Sequence, residues 1–103
     1  MVISMIGYIK NYGISNVQYE YILRDLKKEY LDILDIEEEN IKEVLAYYNE
    51  LGIKESIYNI IMKRFDLIIN SKAELETKIA KIDIKLLRKI VKDNIDSLVM
   101  FGI

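Results

Sequence analysis

The residues with the clearest chemical pattern are lysines and arginines of the C-terminal half. Most of them recur at intervals of three or four, and side chains at such intervals share one face of an α-helix. They are Lys63, Arg64, Lys78, Lys81, Lys85, Arg88, Lys89 and Lys92. Cations along one helix face can contact successive phosphates of a nucleic acid. The pattern therefore predicts a nucleic-acid-binding site that acts through phosphate contacts.

This basic pattern has alternative interpretations. On one unbroken helix, the residues from Lys78 to Lys92 fall within about a third of the circumference. If the chain breaks near Asp83, the four residues from Lys85 onward still share a face at i, i+3, i+4 and i+7. A solvated helix face, or one that docks against an acidic region, would show the same spacing.

The two halves of this 103-residue chain differ in charge. Residues 1–50 carry five basic and ten acidic side chains, whereas residues 51–103 carry ten basic and seven acidic ones, giving balances of −5 and +3. The net charge is −2 at neutral pH. Because acidic side chains repel phosphate, we expect a nucleic-acid ligand to bind at the C-terminal half.

Side chains suited to catalysis or metal binding are scarce. The chain has no Cys and no His, which excludes thiolate nucleophiles, imidazole bases, disulfides and zinc sites built from these residues. Asp66 and Asp96 could form a carboxylate pair, but no nucleophile or Gly-rich phosphate loop accompanies them. The acidic run Glu37 to Glu39 is typical of a first helical turn. We therefore expect a non-enzymatic binding protein without cofactor or metal.

Apolar residues at helical spacing predict that helices position these side chains. The stripes comprise Tyr19, Ile22, Leu23, Leu26 and Tyr30; Ile41, Val44, Leu45 and Tyr48; Ile57, Ile60, Ile61, Phe65 and Ile68; Leu75, Ile79 and Ile82; and Leu87, Ile90, Val91, Ile95 and Leu98. A capping box at Ser15 predicts a helix over about 16–30, and another at Asp35 predicts a helix that ends near Gly52. Two later helices are expected to begin at Ser71 and near Asp83.

The fold class that follows is all-α, in one helical domain spanning residues 1–103. We expect either a short right-handed stack of helix-turn-helix repeats or a bundle of five to seven helices. The opening segment up to Gly13 is predicted to be a short helix. The alternative is a β-hairpin across residues 67–84, because short apolar runs such as DLIIN and ETKIAKIDI fit strands as well.

Shifting the chain over itself indicates internal repetition. The apolar positions of 57–69 fall on apolar positions of 87–99 at an offset of thirty, and five of six fall on apolar residues at an offset of minus thirty-five. Phased amphipathic helices without true repetition could also produce such matches. The predicted units are 15–52, 53–82 and 83–103.

The order of these features in residues 40–82 resembles the repeat of the mitochondrial transcription termination factor family. The stretch NIKEVLAYYNELGIKESIYNIIMKRFDLIINSKAELETKIAKI has a helix, a Gly-Ile stop, an Ile-spaced helix, a basic residue, an aromatic residue and a short apolar tail. In that family, helical repeats stack into a curved solenoid that binds nucleic acid through basic side chains. The resemblance thus implies a nucleic-acid-binding solenoid.

The apolar segments MVISMI and LVMFGI predict a protein partner. Terminal repeats of a helical stack need polar outer faces, so we expect a homodimer or another protein to cover these segments. A protein-interaction module without nucleic-acid binding is the alternative function. Four tyrosines, Tyr8, Tyr12, Tyr47 and Tyr48, could stack on bases, although burial explains aromatic residues on apolar stripes equally well. No membrane association is predicted, and the expected location is the cytoplasm.

Overall fold

The computed structural model describes residues 4–103, and every regular element within them is helical. Seven α-helices (α1–α7) and three 3₁₀ helices (η1–η3) follow one another. They are η1 Ser4–Tyr12, α1 Asn16–Asp25, α2 Lys28–Ile36, α3 Glu38–Glu50, η2 Lys54–Ser56, α4 Ile57–Lys63, α5 Asp66–Ile69, α6 Lys72–Ile79, α7 Ile84–Asp93 and η3 Ile95–Phe101. The all-α prediction is confirmed, and the β-hairpin alternative is excluded because α5 and α6 occupy the residues in question.

The first predicted helix is too long. The capping box at Ser15 forms, with Ser15 Oγ accepting from the Gln18 amide, but α1 ends at Asp25 and Leu26 is extended (φ −76°, ψ 143°). The chain then starts a new helix, α2, and Leu34 of that helix is completely buried. The sequence between Asn16 and Tyr30 favours one continuous helix, but burial of residues on both sides of the bend outweighs this preference.

The predicted capping box at Asp35 is also wrong. Helix α2 runs through Asp35 to Ile36, and α3 begins directly after Glu37, whose side chain makes no capping hydrogen bond. The acidic run does lie at the start of α3, where carboxylates favour the positive end of the helix dipole. Glu38 additionally forms an ion pair with Lys42 at 2.8 Å.

A Gly-Ile pair ends α3 and recurs after η3. Gly52 (φ 81°) and Gly102 (φ 76°) are left-handed, a conformation that favours glycine. The Ile53 amide donates to the Tyr48 carbonyl, and the Ile103 amide donates to the Leu98 carbonyl. Both patterns match the Schellman motif, in which the apolar residue after glycine packs inward. Ile53 and Ile103 are indeed buried.

Two segments thirty residues apart share one backbone break. Helix α4 is separated from α5 at Arg64 (φ −137°, ψ 60°), and α7 is separated from η3 at Asn94 (φ −157°, ψ 70°). Each of these two residues donates its amide to the carbonyl of an isoleucine four positions earlier. The offset equals the one predicted from the apolar pattern, while the three repeat units remain a prediction.

The core takes residues from every element except η2, and the predicted stripes supply most of it. Helix α3 packs against η1, α2, α5 and α6, and α4 packs against α5, α7 and η3. Completely buried side chains include Ile41, Leu45, Ile61, Ile68 and Leu75. Among residues 4–103, no helix has the length and apolar character needed to cross a membrane.

Candidate nucleic-acid interface

Helix α7 presents four basic side chains on one exposed face. Lys85, Arg88, Lys89 and Lys92 are exposed and lie within an arc of about 100° at the helical rotation per residue. Leu87 and Val91 point away from this arc and are buried. The helix starts at Asp83, whose carboxylate accepts from the amides of Lys85 and Leu86. Burial of the apolar stripe and this cap together fix the basic face toward solvent.

The three lysines of this face carry their charge without a protein counter-ion. Within the described part of the chain, Lys85, Lys89 and Lys92 form no ion pair; the ion pairs that occur involve Arg24, Lys28, Lys42 and Arg64. The arc itself contains no carboxylate. We call Lys85, Arg88, Lys89 and Lys92 the α7 basic face. Of the eight predicted site residues, these four lie together on one face of a helix.

Arg88 has a structural contact as well as an exposed position. Its Nε donates to the Leu51 carbonyl at 2.9 Å, which satisfies an acceptor at the C-terminal end of α3. The guanidinium lies against Gly52, where a Cβ atom would approach Nε to 3.0 Å. Arg88 therefore joins α7 to the end of α3, and its charge stands at the edge of the α7 basic face.

Arg64 points into the protein. Its side chain is only 15% exposed and forms an ion pair with Asp66 at 3.0 Å, and it also donates to the Ile103 main-chain oxygen. The hydrogen bond to Asp66 is the main cause that raises the pKa of Arg64 above its ordinary value, and burial opposes it. This arginine holds the last residue of the chain against α4. Its charge is thus paired within the described residues, unlike that of the neighbouring exposed Lys63.

The remaining predicted residues lie outside α7. Lys63 is exposed in the last turn of α4, Lys78 is half-buried in the last turn of α6, and Lys81 is exposed in the turn after it. Because α6 ends at Ile79 and α7 begins at Ile84, the single helix from Lys78 to Lys92 does not form. The alternative with a break near Asp83 is the one observed.

Of the four tyrosines considered for base stacking, Tyr8 and Tyr48 donate hydrogen bonds within the protein, whereas Tyr12 and Tyr47 are half-buried. Tyr48 is 1% exposed and donates its hydroxyl to the Leu67 carbonyl, while Tyr8 donates to the Leu34 carbonyl. Burial raises the pKa of both phenols above the ordinary value. The ammonium group of Lys72 stands 5.9 Å from the Tyr47 ring centroid. Helix α7 carries no aromatic residue, so its basic face has no stacking platform of its own.

A second surface is apolar and lies on η3. Val99, Met100 and Phe101 are 68%, 84% and 42% exposed, and we call them the C-terminal apolar surface. These residues belong to the apolar segment LVMFGI, for which the sequence analysis predicted a protein partner. At the other end of the chain, Ile6 and Ile9 are buried by the protein itself, and residues 1–3 of the predicted N-terminal surface lie outside the described residues.

A third surface lies where α2 meets α3. Ile36 is 75% exposed, and the neighbouring Asp35, Glu37 and Glu39 are exposed too. None of these three carboxylates forms an ion pair within residues 4–103. We call these four residues the acidic junction. Sequence reasoning missed it, because it assigned Asp35 to a helix cap.

Asp66 and Asp96, the two carboxylates considered for catalysis, both lie near Arg64 and contribute to the raised pKa of its side chain. Asp66 is bonded to Arg64, and Asp96 is exposed in η3. Among residues 4–103, no group of three or more acidic side chains is arranged to hold a metal ion.

Comparison with known proteins identifies no relative. Neither a family model nor a curated protein nor a solved structure matches the chain significantly.

Proposed function

We propose that the protein binds nucleic acid without catalysing a reaction, through phosphate contacts of the α7 basic face. The observation that carries the proposal is the group of three exposed lysines on one helical arc, without a protein counter-ion among the described residues. Phosphate binding releases condensed counter-ions from the nucleic acid, which supplies affinity without any base contact. The uneven distribution of charge along the chain also favours binding through α7, because the acidic N-terminal half would repel the phosphates.

The experiment measures fluorescence anisotropy of a labelled oligonucleotide over a series of salt concentrations. Three phosphate contacts correspond to a slope of about −2.7 in log K against log salt for duplex DNA, or a loss of about fortyfold in affinity between about 50 and 200 mM salt. The variant Lys85→Gln/Lys89→Gln/Lys92→Gln should remove most of the binding and flatten the slope.

The matched control is Lys10→Gln/Lys27→Gln/Lys28→Gln, which changes the net charge by the same amount in the acidic half. Its slope should equal that of the unchanged protein. Equal losses in both triple variants would mean that overall charge, and not the α7 basic face, determines binding. No binding at low salt would refute the proposal.

The second candidate function is protein–protein interaction through the C-terminal apolar surface. Three consecutive exposed apolar side chains on one short helix favour it, because apolar side chains that cluster at the surface mark interaction sites. The variant Val99→Ser/Met100→Ser should then lose binding to its protein partner while its unfolding free energy stays within about 0.5 kcal/mol of the unchanged protein. Nucleic-acid affinity that is unchanged in this variant would separate the two functions.

A further inference from the structure

The acidic junction has an apolar centre that its own chain leaves uncovered. Ile36 ends α2 and is 75% exposed. Helix α2 packs against η1 and α3, so its buried side is occupied and the junction faces outward. A single exposed isoleucine is ordinary on a protein surface. The unusual feature is its position among three exposed carboxylates that form no ion pair within residues 4–103. A neighbouring cation, Lys42, pairs with Glu38 and also lies near Glu39.

The α7–η3 region has the opposite charge beside its own apolar residues. The α7 basic face contributes lysines that form no ion pair within residues 4–103. The C-terminal apolar surface follows in the next helix, with Asn94 as the single residue between the two elements. Asp93 and Asp96 are also exposed here, and the four cations of the α7 basic face leave the region with a positive balance. This region packs against η2 and α4. Its neighbours thus differ from those of α2, and neither charged surface is used to neutralise the other within one molecule.

We propose that the acidic junction of one molecule docks against the α7–η3 region of a second copy of this chain. The occupant follows from charge complementarity, since Asp35, Glu37 and Glu39 on one copy match Lys85, Lys89 and Lys92 on the other. Ile36 meets the C-terminal apolar surface and removes apolar area of both copies from water. Complementary charge determines how the two copies are oriented, and repulsion between like charges prevents two acidic junctions or two basic faces from meeting. The contact is heterologous, because different surfaces of the two copies meet.

The contact uses the same lysines as the proposed nucleic-acid site, so the two ligands compete. Self-association nevertheless does not rest on nucleic-acid binding, and it can be measured with the protein alone. Added duplex should dissociate the assembled protein if both proposals hold. If the assembly stays intact in the presence of duplex, the two ligands do not use the same lysines. The self-association itself would still hold in that case.

The test is sedimentation velocity of the full chain over a range of concentrations. At low salt, the average mass should rise with concentration above the monomer mass of 12.2 kDa, and at about 500 mM salt it should return to that mass, because screening shortens the range of the ion pairs. Two charge-reversed variants are used, Asp35→Lys/Glu37→Lys/Glu39→Lys and Lys85→Glu/Lys89→Glu/Lys92→Glu. Each should remain monomeric alone, and an equimolar mixture should associate.

A third variant controls for net charge. Glu20→Lys/Glu50→Lys/Glu76→Lys changes three exposed acidic residues elsewhere and should associate like the unchanged protein. Circular dichroism verifies that each variant is folded. A monomer at all concentrations in low salt would overturn the proposal. So would an assembly that survives both charge reversals and disappears only in Val99→Ser/Met100→Ser, because that result would assign the contact to the apolar residues alone.

Discussion

Residues 57–69 and 87–99 have the same helical pattern in different surroundings. In both segments a helix breaks at a non-helical residue and a short helix follows. The tail after the first break is covered: Tyr48 donates to the Leu67 carbonyl and Asn40 donates to the Asn70 carbonyl, both from α3. The tail after the second break carries the exposed Val99 and Met100.

The helices that precede the two segments also differ. Helix α3 has 13 residues, and its N-terminal turns reach the tail of the first segment. Helix α6, which precedes the second segment, has eight residues and lacks those turns. Equivalent apolar patterns thus contribute buried residues in both segments, but Val99 in the tail of the second is 68% exposed. The pattern of a segment indicates which side chains are apolar, whereas its neighbours decide which of them reach solvent.

The largest expected effect tests the interiors of the two segments. Ile61→Ala removes three carbon atoms from a completely buried position and should reduce the unfolding free energy by about 4 kcal/mol. Val91→Ala, at the matching position, removes two and should cost about 2 kcal/mol. Urea denaturation followed by circular dichroism measures both. A larger loss for Val91→Ala would show that the second segment is the more tightly packed of the two.

The two break residues should differ strongly in their contribution to stability. Arg64→Met keeps an unbranched apolar stem but removes the hydrogen bonds to Asp66 and to the Ile103 oxygen, so we expect a loss of about 2 kcal/mol. Asn94 is exposed, and Asn94→Ala should change the unfolding free energy by less than about 0.5 kcal/mol. Equal losses of unfolding free energy in urea denaturation would contradict the view that the Arg64 side chain stabilises its break and the Asn94 side chain does not.

The Tyr48 hydroxyl provides a test of the covered tail. Tyr48→Phe leaves the Leu67 carbonyl without its donor and should cost about 1 to 3 kcal/mol below pH 10. Tyr21→Phe, at an exposed position, is the control and should change stability by less than about 0.5 kcal/mol.

The same phenol predicts a dependence on alkaline pH. Burial raises the pKa of Tyr48 above its ordinary value of 10.0, so above that pH the unfolded chain loses the proton while the folded protein keeps it. The stability linked to this group is complete below pH 10 and declines as pH rises toward the folded pKa, by up to about 1.4 kcal/mol per pH unit. Tyr48→Phe should show a shallower decline in urea denaturation at alkaline pH. An unchanged decline would mean that this hydroxyl is solvated.

The smallest effect compares matching positions at the surface. Ile69 is 39% exposed and Val99 is 68% exposed. Ile69→Ser should cost about 1 kcal/mol because more of its side chain is buried, and Val99→Ser should cost less than about 0.5 kcal/mol. Thermal unfolding at a protein concentration that keeps both variants monomeric measures the difference. A substantial loss for Val99→Ser would indicate that this residue packs within its own molecule.

Much of the fold was predictable because local signals and burial agree. Ser15 forms the predicted capping box, α6 and α7 begin after Ser71 and Asp83 as expected, and Gly52 ends α3 in the left-handed conformation. The predictions fail where packing between elements decides. No residue near Leu26 signals a helix end, and Asp35 has the spacing of a cap although α2 continues through it.

The candidate site was predictable in part, for a related reason. The four residues of the α7 basic face could be identified because the spacing within one helix determines its faces. The inward direction of Arg64 depends on Ile103, which lies thirty-nine residues away. The contact of Arg88 with Leu51 spans thirty-seven residues. Spacing along the chain contains no information about such distant partners, so cations with a structural role could not be distinguished from free ones.

The Arg88 contact connects the α7 basic face to the end of α3, thirty-seven residues earlier in the chain. A phosphate that drew the guanidinium away from Leu51 would leave the end of α3 without its donor, so occupancy of α7 would be transmitted to the turn at Gly52. An exchange of Arg88 for lysine would preserve the charge but forfeit the planar donor group that fits over the glycine. The arginine at this position thus holds the turn after α3 against α7, and its removal would free that turn from the helix beside it.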